Sequence, residues 1–154
     1  MTELVYVQTD AEYDVAVKLF MEYAAWLDID LSFQDFDKEL SSLKKIYTEP
    51  FGGIILCRHN DLFIGCVALR KNQEKIAELK RMYVQPSAQQ KGIGTLLLKE
   101  AIGFATKLGY KKIRLDTLDS MEPAMLLYKR NGFKNIPAYY YNPEKSAVYF
   151  EKDL

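Results

Sequence analysis

Leu4 to Gln8 alternates apolar and polar side chains, a period of two that predicts a strand, and Thr9-Asp10 follows as a helix cap. Val17, Phe20, Met21, Ala24 and Leu27 recur at three- and four-residue steps and share one stripe of a long helix ending near Leu27. The charged stretch Asp28 to Asp35 breaks that period. Phe36, Leu40, Leu43 and Ile46 or Tyr47 resume it, predicting one second helix that stops before Pro50, whose ring disfavours helix at the preceding residue.

From Gly53 the pattern shortens. Ile54 to Cys57 and Leu62 to Leu69 are apolar runs around the turn residues His59-Asn60-Asp61, an antiparallel hairpin. Lys71 to Lys75 is polar and reads as a loop, and Ala77 to Val84 is another strand, stopped by Pro86. Ile93, Leu97, Ala101, Phe104 or Ala105 and Leu108 form a helical face that starts at Gly92-Ile93-Gly94 and ends at Gly109. Lys112 to Asp116 alternates as a strand. Pro123 suits a first helical turn, so Ala124 to Lys129 is a helix closed by Asn131-Gly132. Phe133 to Ile136 and Ala147 to Lys152 are final short strands, joined by a loop containing Tyr139-Tyr140-Tyr141-Asn142-Pro143. Residues 1–154 therefore read as a single mixed α/β domain.

Composition narrows the function classes. The 154 residues carry 21 Lys plus Arg against 21 Asp plus Glu, and 49% are hydrophobic, enough for a substantial core. Zero net charge removes the basic excess with which nucleic-acid-binding domains neutralise phosphates, so no nucleic-acid partner is expected. No apolar run approaches the ~18 residues of a membrane span, and no signal peptide is visible, so the expected location is the cytoplasm, away from a membrane. Cys57 and Cys66 flank the hairpin turn and could face each other, although in a reducing compartment buried free thiols are expected. One histidine, His59, cannot make a metal site, and no Cys/His cluster has zinc spacing.

Chemistry concentrates where the strand ending at Val84 runs through Gln89-Gln90-Lys91-Gly92-Ile93-Gly94 into a helix. A helix start with nearby glycines presents backbone N–H groups and a partial positive charge to an anion such as a pyrophosphate, though a tight strand-to-helix turn also needs glycine. The Gly-x-x-x-x-Gly-Lys-Ser/Thr string of a P-loop is absent, and Leu97 occupies the third small position of the dinucleotide fingerprint. The segment resembles the acyl-CoA-binding motif of the GNAT family of N-acetyltransferases, Gln or Arg, two residues, Gly, any residue, Gly or Ala, through Gln89, Gly92 and Gly94. Glu78 to Val84 looks like that family's fourth strand. Ala124 with Leu127-Tyr128 and Gly132-Phe133 looks like its second signature. Where family members commonly carry aromatic-Arg-Gly, this chain has Ala88, Gln89 and Gln90, which leaves phosphate binding more dependent on backbone N–H groups and Lys91.

The resemblance implies a mostly antiparallel central sheet with helices on both faces. It further implies acetyl-CoA as cosubstrate, no metal, and transfer to a primary amine, most readily of a small molecule, by direct attack in a ternary complex. A homodimer is compatible with it. The cofactor's pantetheine arm would pair with main-chain groups of Met82, Tyr83 and Val84, while Gln89, Gln90, Lys91, Gly92, Ile93, Gly94 and Thr95 would wrap the pyrophosphate. Tyr128 would donate to the departing thiolate, against the alternative of a core tyrosine. Glu78 would take the amine's proton, or be a strand carboxylate paired with Lys80 or Arg114; burial among apolar neighbours would raise its pKa. Trp26, Phe33, Phe36 and Tyr139 to Tyr141 are acceptor-pocket candidates, and Asp28, Asp30, Asp35 and Asp37 either attract a cationic amine or are simply solvated. A noncatalytic acyl-CoA-binding sensor is the alternative reading.

Overall fold

The computed structural model describes residues 1–154, apart from the side chain of Phe33. Its strands are β1 (Thr2–Tyr6), β2 (Gly53–His59), β3 (Leu62–Gln73), β4 (Ile76–Val84), β5 (Lys112–Leu118), β6 (Lys134–Ile136) and β7 (Ala147–Asp153). The helices are α1 (Asp10–Leu27), α2 (Phe36–Leu40), α3 (Leu43–Ile46), α4 (Ile93–Lys107) and α5 (Glu122–Arg130). The strands form one seven-stranded sheet in the order β1-β2-β3-β4-β5-β7-β6, antiparallel except where β4 meets β5. This is the mixed, mostly antiparallel sheet that the sequence resemblance implied.

Alternation along the central strands sends side chains to two cores. Ile55, Cys57, Val67, Leu69, Ala77 and Leu79 pack against Leu97, Leu98, Ala101 and Phe104 of α4 and Tyr128 of α5. Ile54, Leu56, Cys66 and Ala68 pack on the opposite face against Ala16, Leu19 and Phe20 of α1 and Leu43 of α3. The two cysteines are therefore on opposite faces: Cys57 pairs with Gly65 and Leu56 with Cys66, and both thiols are free and buried. A one-residue offset in register makes a disulfide across this hairpin geometrically impossible.

Local chemistry sets the element ends. The Thr9 hydroxyl accepts from Glu12 N–H at 3.2 Å while the Glu12 carboxylate accepts from Thr9 N–H at 3.0 Å, a reciprocal capping box that starts α1. The single helix expected over Phe36 to Tyr47 is broken at Ser41-Ser42, where the Ser41 hydroxyl donates to the Lys38 carbonyl at 2.9 Å and competes with the helical ladder. Lys71 to Gln73, expected in a loop, extend β3, because Lys71 and Gln73 pair with Ala77 and Ile76 and the turn is confined to Glu74 and Lys75. At Gly52 a Cβ would lie 1.8 Å from the Leu69 carbonyl oxygen, so only glycine lets the chain enter β2 there.

Candidate active site

The parallel contact between β4 and β5 is short. Ile76, Ala77 and Glu78 pair with Lys112, Ile113 and Arg114, and beyond Glu78 the two strands diverge. The edge of β4 from Leu79 to Val84 that faces β5 thus carries no ladder partner. The divergence opens a cleft of about 520 Å³, lined by β4, the start of α4, β5, α5, the end of α1 and the loop before β7.

A bulge shapes that edge. Ala68 pairs with Lys80 and Cys66 with Tyr83, so the single residue Val67 opposes both Arg81 and Met82. Arg81 takes a positive φ of 55°. The extra residue changes the alternation: Arg81 joins Lys80 on the α1 and α2 side, and Met82 packs with the α4 core. Buried Glu39 of α2 receives two bonds from the guanidinium, from Nε at 2.9 Å and from Nη2 at 2.8 Å. Phe36 lies under the same cation at 5.1 Å, and the Cys66 thiol donates to the Arg81 carbonyl at 3.3 Å. Burial alone would raise the Glu39 pKa, but the hydrogen bonds and charge of Arg81 hold it below the ordinary glutamate value.

At the far end of β4 the chain turns into α4. Gln90 and Gly92 both have positive φ, 64° and 82°, and Gly92 caps α4 without a side-chain bond to its first amides. The first intrahelical bond goes from Leu96 N–H to the Gly92 carbonyl at 3.1 Å, so the amides of Ile93, Gly94 and Thr95 have no helical acceptor, and the first turn contains no acidic residue. The Gln89 carboxamide donates to the Val84 carbonyl at 3.0 Å and ties this loop to the strand end.

Of the residues that the sequence motif singles out, Met82, Tyr83, Val84, Gln89, Gln90, Gly92, Gly94 and Thr95 border the cleft. Ile93 is buried in the core and can offer only its backbone, and Lys91 is exposed outside the lining. Tyr128 also borders the cleft. Its ring packs on Phe133 at 5.7 Å and Phe150 at 6.0 Å, and burial pushes its phenol pKa well above the ordinary 10.

Glu78 stands at the point of divergence and outside the cleft lining. One carboxylate oxygen accepts from Arg70 Nε at 2.9 Å and the other from the Tyr139 hydroxyl at 2.8 Å; Lys80 and Arg114 are not its hydrogen-bond partners. Burial acts to raise its pKa, but the charges of Lys80 and Arg70 and these two bonds outweigh it, so the net shift is downward. The rise expected from apolar burial is corrected accordingly: ionic neighbours surround this carboxylate.

The tyrosine run does not act as a unit. Tyr139 reaches Glu78 on β4, Tyr140 donates to Asp116 Oδ2 on β5 at 2.8 Å, and Tyr141 is 84% exposed. Trp26 lines the cleft and packs on Tyr83 at 5.8 Å, Phe36 lies under Arg81 outside the cleft, and the Phe33 side chain falls outside the described residues. Asp28 and Asp35 occupy left-handed positions at helix ends and Asp30 accepts from Ser32 N–H at 2.9 Å; with Asp37 they stay out of the cleft lining. His59 Nδ1 lies 2.7 Å from the Thr2 hydroxyl.

Sequence reasoning missed Gln34, Lys80, Asp116 and Arg130, all of which border the cleft. Lys80 had a signal: two successive cations, Lys80-Arg81, follow Glu78 in a central strand whose remaining side chains are apolar or aromatic, and two adjacent cations there call for a bulge or a polar cavity. Asp116 had none, because an alternating Lys112 to Asp116 reads as a solvated face until the loop before β7 is seen to cover it.

A model described as the acetyltransferase (GNAT) family matches residues 14–133. An uncharacterized N-acetyltransferase of Schizosaccharomyces pombe is 38% identical over 138 residues, covering 88% of this chain and 85% of that protein. Among solved structures, an acetyltransferase from Streptococcus agalactiae superposes with a TM-score of 0.81 at 22% identity, covering 99% of this chain and 98% of the other. A GNAT family acetyltransferase from Elizabethkingia anophelis with acetyl-CoA bound has a TM-score of 0.70 at 24% identity, covering 99% and 98%.

Proposed function

Because the chain belongs to the GNAT family and is an acetyl-CoA-dependent N-acetyltransferase, we propose that it acetylates the primary amine of a small molecule by direct attack in a ternary complex within the β4–β5 cleft. One observation carries this reading: a strand edge without ladder partners leads, inside one cavity, from the free helix-start amides of Gly94 and Thr95 to Tyr128 and the Asp116 carboxylate. The residues fit the cosubstrate. The amides of Ile93, Gly94 and Thr95, with Arg130 at the cleft, suit a diphosphate, and the edge of Met82 to Val84 suits an amide-bearing arm. When bound, acetyl-CoA supplies the activated acyl carbon.

An amine with a lysine-like pKa near 10.4 is neutral in on the order of one molecule per thousand at pH 7, so its proton must be removed before attack. Asp116 is the cleft-lining carboxylate suited to this. Tyr140 occupies Oδ2, leaving Oδ1 to hold the ammonium and take its proton directly or through water. Glu78, with both oxygens engaged, serves instead to fix Tyr139 and the point where the strands part. As the C–N bond forms the C–S bond breaks: the sulfur leaves as a thiolate and takes up, by way of water, the second proton that the amine nitrogen gives up. The elevated pKa of Tyr128 keeps its phenol protonated, so it stabilises the departing sulfur by hydrogen bonding rather than by full transfer.

Tyr128→Phe removes that donor and leaves the ring packing intact. Its kcat should fall on the order of 10- to 100-fold with acetyl-CoA affinity by calorimetry unchanged within about twofold. An unaltered kcat removes the role. Acetyl-CoA binding with no acceptor-dependent thiol release across a broad amine panel would instead favour the noncatalytic reading.

A further inference from the structure

Lys80 is 5% exposed, borders the cleft and makes no ion pair among the described residues. Its one hydrogen bond donates to the neutral Gln34 Oε1 at 3.1 Å, which leaves two of three ammonium donors unused. The neighbouring guanidiniums are neutralised, buried Arg81 by Glu39 and the partly exposed Arg70 by Glu78. Asp116 does not reach Lys80 directly. Between them stand the Gln34 carboxamide and the Tyr140 hydroxyl, joined by a 3.2 Å bond from Gln34 Nε2, with Tyr140 in turn donating to Asp116. The cleft therefore holds a cation and an anion separated by a neutral amide and a phenol.

Resting on the functional reading above, we propose that Lys80 binds a carboxylate of the acceptor while Asp116 holds its amine, so that the substrate is an amino acid-type zwitterion. The cosubstrate's phosphates are not the partner of Lys80. Val84 lies four residues further along β4, a span the bulge shortens to three strand steps or about 10 Å, and the amides at the start of α4 lie beyond it. One cation without an ion-pair contact suits a group of one negative charge better than a dianionic phosphate. A buried ammonium with a single neutral partner is costly, and burial pulls the Lys80 pKa down against the opposing pull of Glu78; an anion on its unused donors relieves that cost.

The test compares alanine, phenylalanine, β-alanine and 4-aminobutanoate, each with the amine that lacks the carboxylate, and includes 2-aminoethanesulfonate and 2-aminoethyl phosphate. At least one amino acid should exceed its plain amine by on the order of 10- to 100-fold in kcat/KM, the worth of a charge-assisted hydrogen bond. Lys80→Met should bring that ratio towards one through KM, and Lys80→Arg should restore part of it. Calorimetry of the same amino acids into wild-type protein saturated with CoA reads binding without turnover. Equal kcat/KM for amino acids and plain amines overturns the proposal, as does a preference for the sulfonate or phosphate, or an unchanged ratio in Lys80→Met. No acetyl transfer to any amine, with amino acids still binding, would overturn the functional reading and leave the Lys80 site standing.

Discussion

Glu39→Ala tests whether the active edge of β4 depends on a pair of charges behind it. The Arg81 guanidinium is buried and bonded to Glu39 at 2.8 and 2.9 Å, and its backbone holds a φ of 55° that costs a non-glycine residue about 1 to 2 kcal/mol. Deleting Glu39 leaves the cation uncompensated, a loss of about 3 to 5 kcal/mol for buried pairs and a large part of the ~5 to 15 kcal/mol that typically holds a domain together. With a urea m-value of about 2 kcal/mol per molar, the midpoint should drop by about 1.5 to 2.5 M. The remaining folded protein should bind acetyl-CoA more weakly, because the bulge that sets the Arg81-Met82 backbone loses its anchor. Replacing both members, Glu39→Leu with Arg81→Met, removes the stranded charge and should recover most of the midpoint. A shift below about 0.5 M for Glu39→Ala, or a double variant no more stable than the single, would refute this reasoning.

Two glycines should separate stability from binding. Gly92→Ala meets no neighbour within 4 Å but must hold a φ of 82°, so it should lose about 1 kcal/mol in urea titration and bind acetyl-CoA less tightly. Gly94→Ala, inside α4 and 3.5 Å from Leu127 Cδ2, should gain up to about 1 kcal/mol of helix propensity, yet its methyl enters the cleft lining and acetyl-CoA affinity by calorimetry should fall. Glu39 and Glu78 both titrate below the ordinary 4.5 in the folded state, so their contribution is complete above the unfolded value and is lost as pH falls through their lower folded values. Urea midpoints measured from pH 7 to pH 3 should therefore decline below about 4.5, and a Glu39→Gln variant with the same acid slope as wild type would contradict the assignment.

The sheet and its helices were legible because burial imposes periods of two and 3.6 on the sequence, as in Ile54 to Cys57 and Ile93 to Leu108. What lay hidden is what period cannot encode. The Ser41 hydroxyl cut a helix whose apolar spacing ran on undisturbed to Tyr47. Lys80 and Arg81 share a side only through a bulge, and simple alternation would have set them on opposite faces. The loop motif from Gln89 to Thr95 was readable as local backbone chemistry, whereas the Gln34, Lys80, Tyr140 and Asp116 chain joins four segments distant in sequence. Glu78 was visible as a residue but its partners were not, since Arg70 and Tyr139 arrive from elsewhere in the chain.

The three residue pairs that join β4 to β5 make a narrow seam between two ribbons, one of four strands and one of three. Amides and carbonyls past that seam invite whatever slender chain can offer complementary groups, and such a guest would finish the weave between the ribbons that the polypeptide leaves unfinished. Loading the enzyme and consolidating its architecture would then be one event. Turnover would loosen the scaffold each time the spent carrier departs.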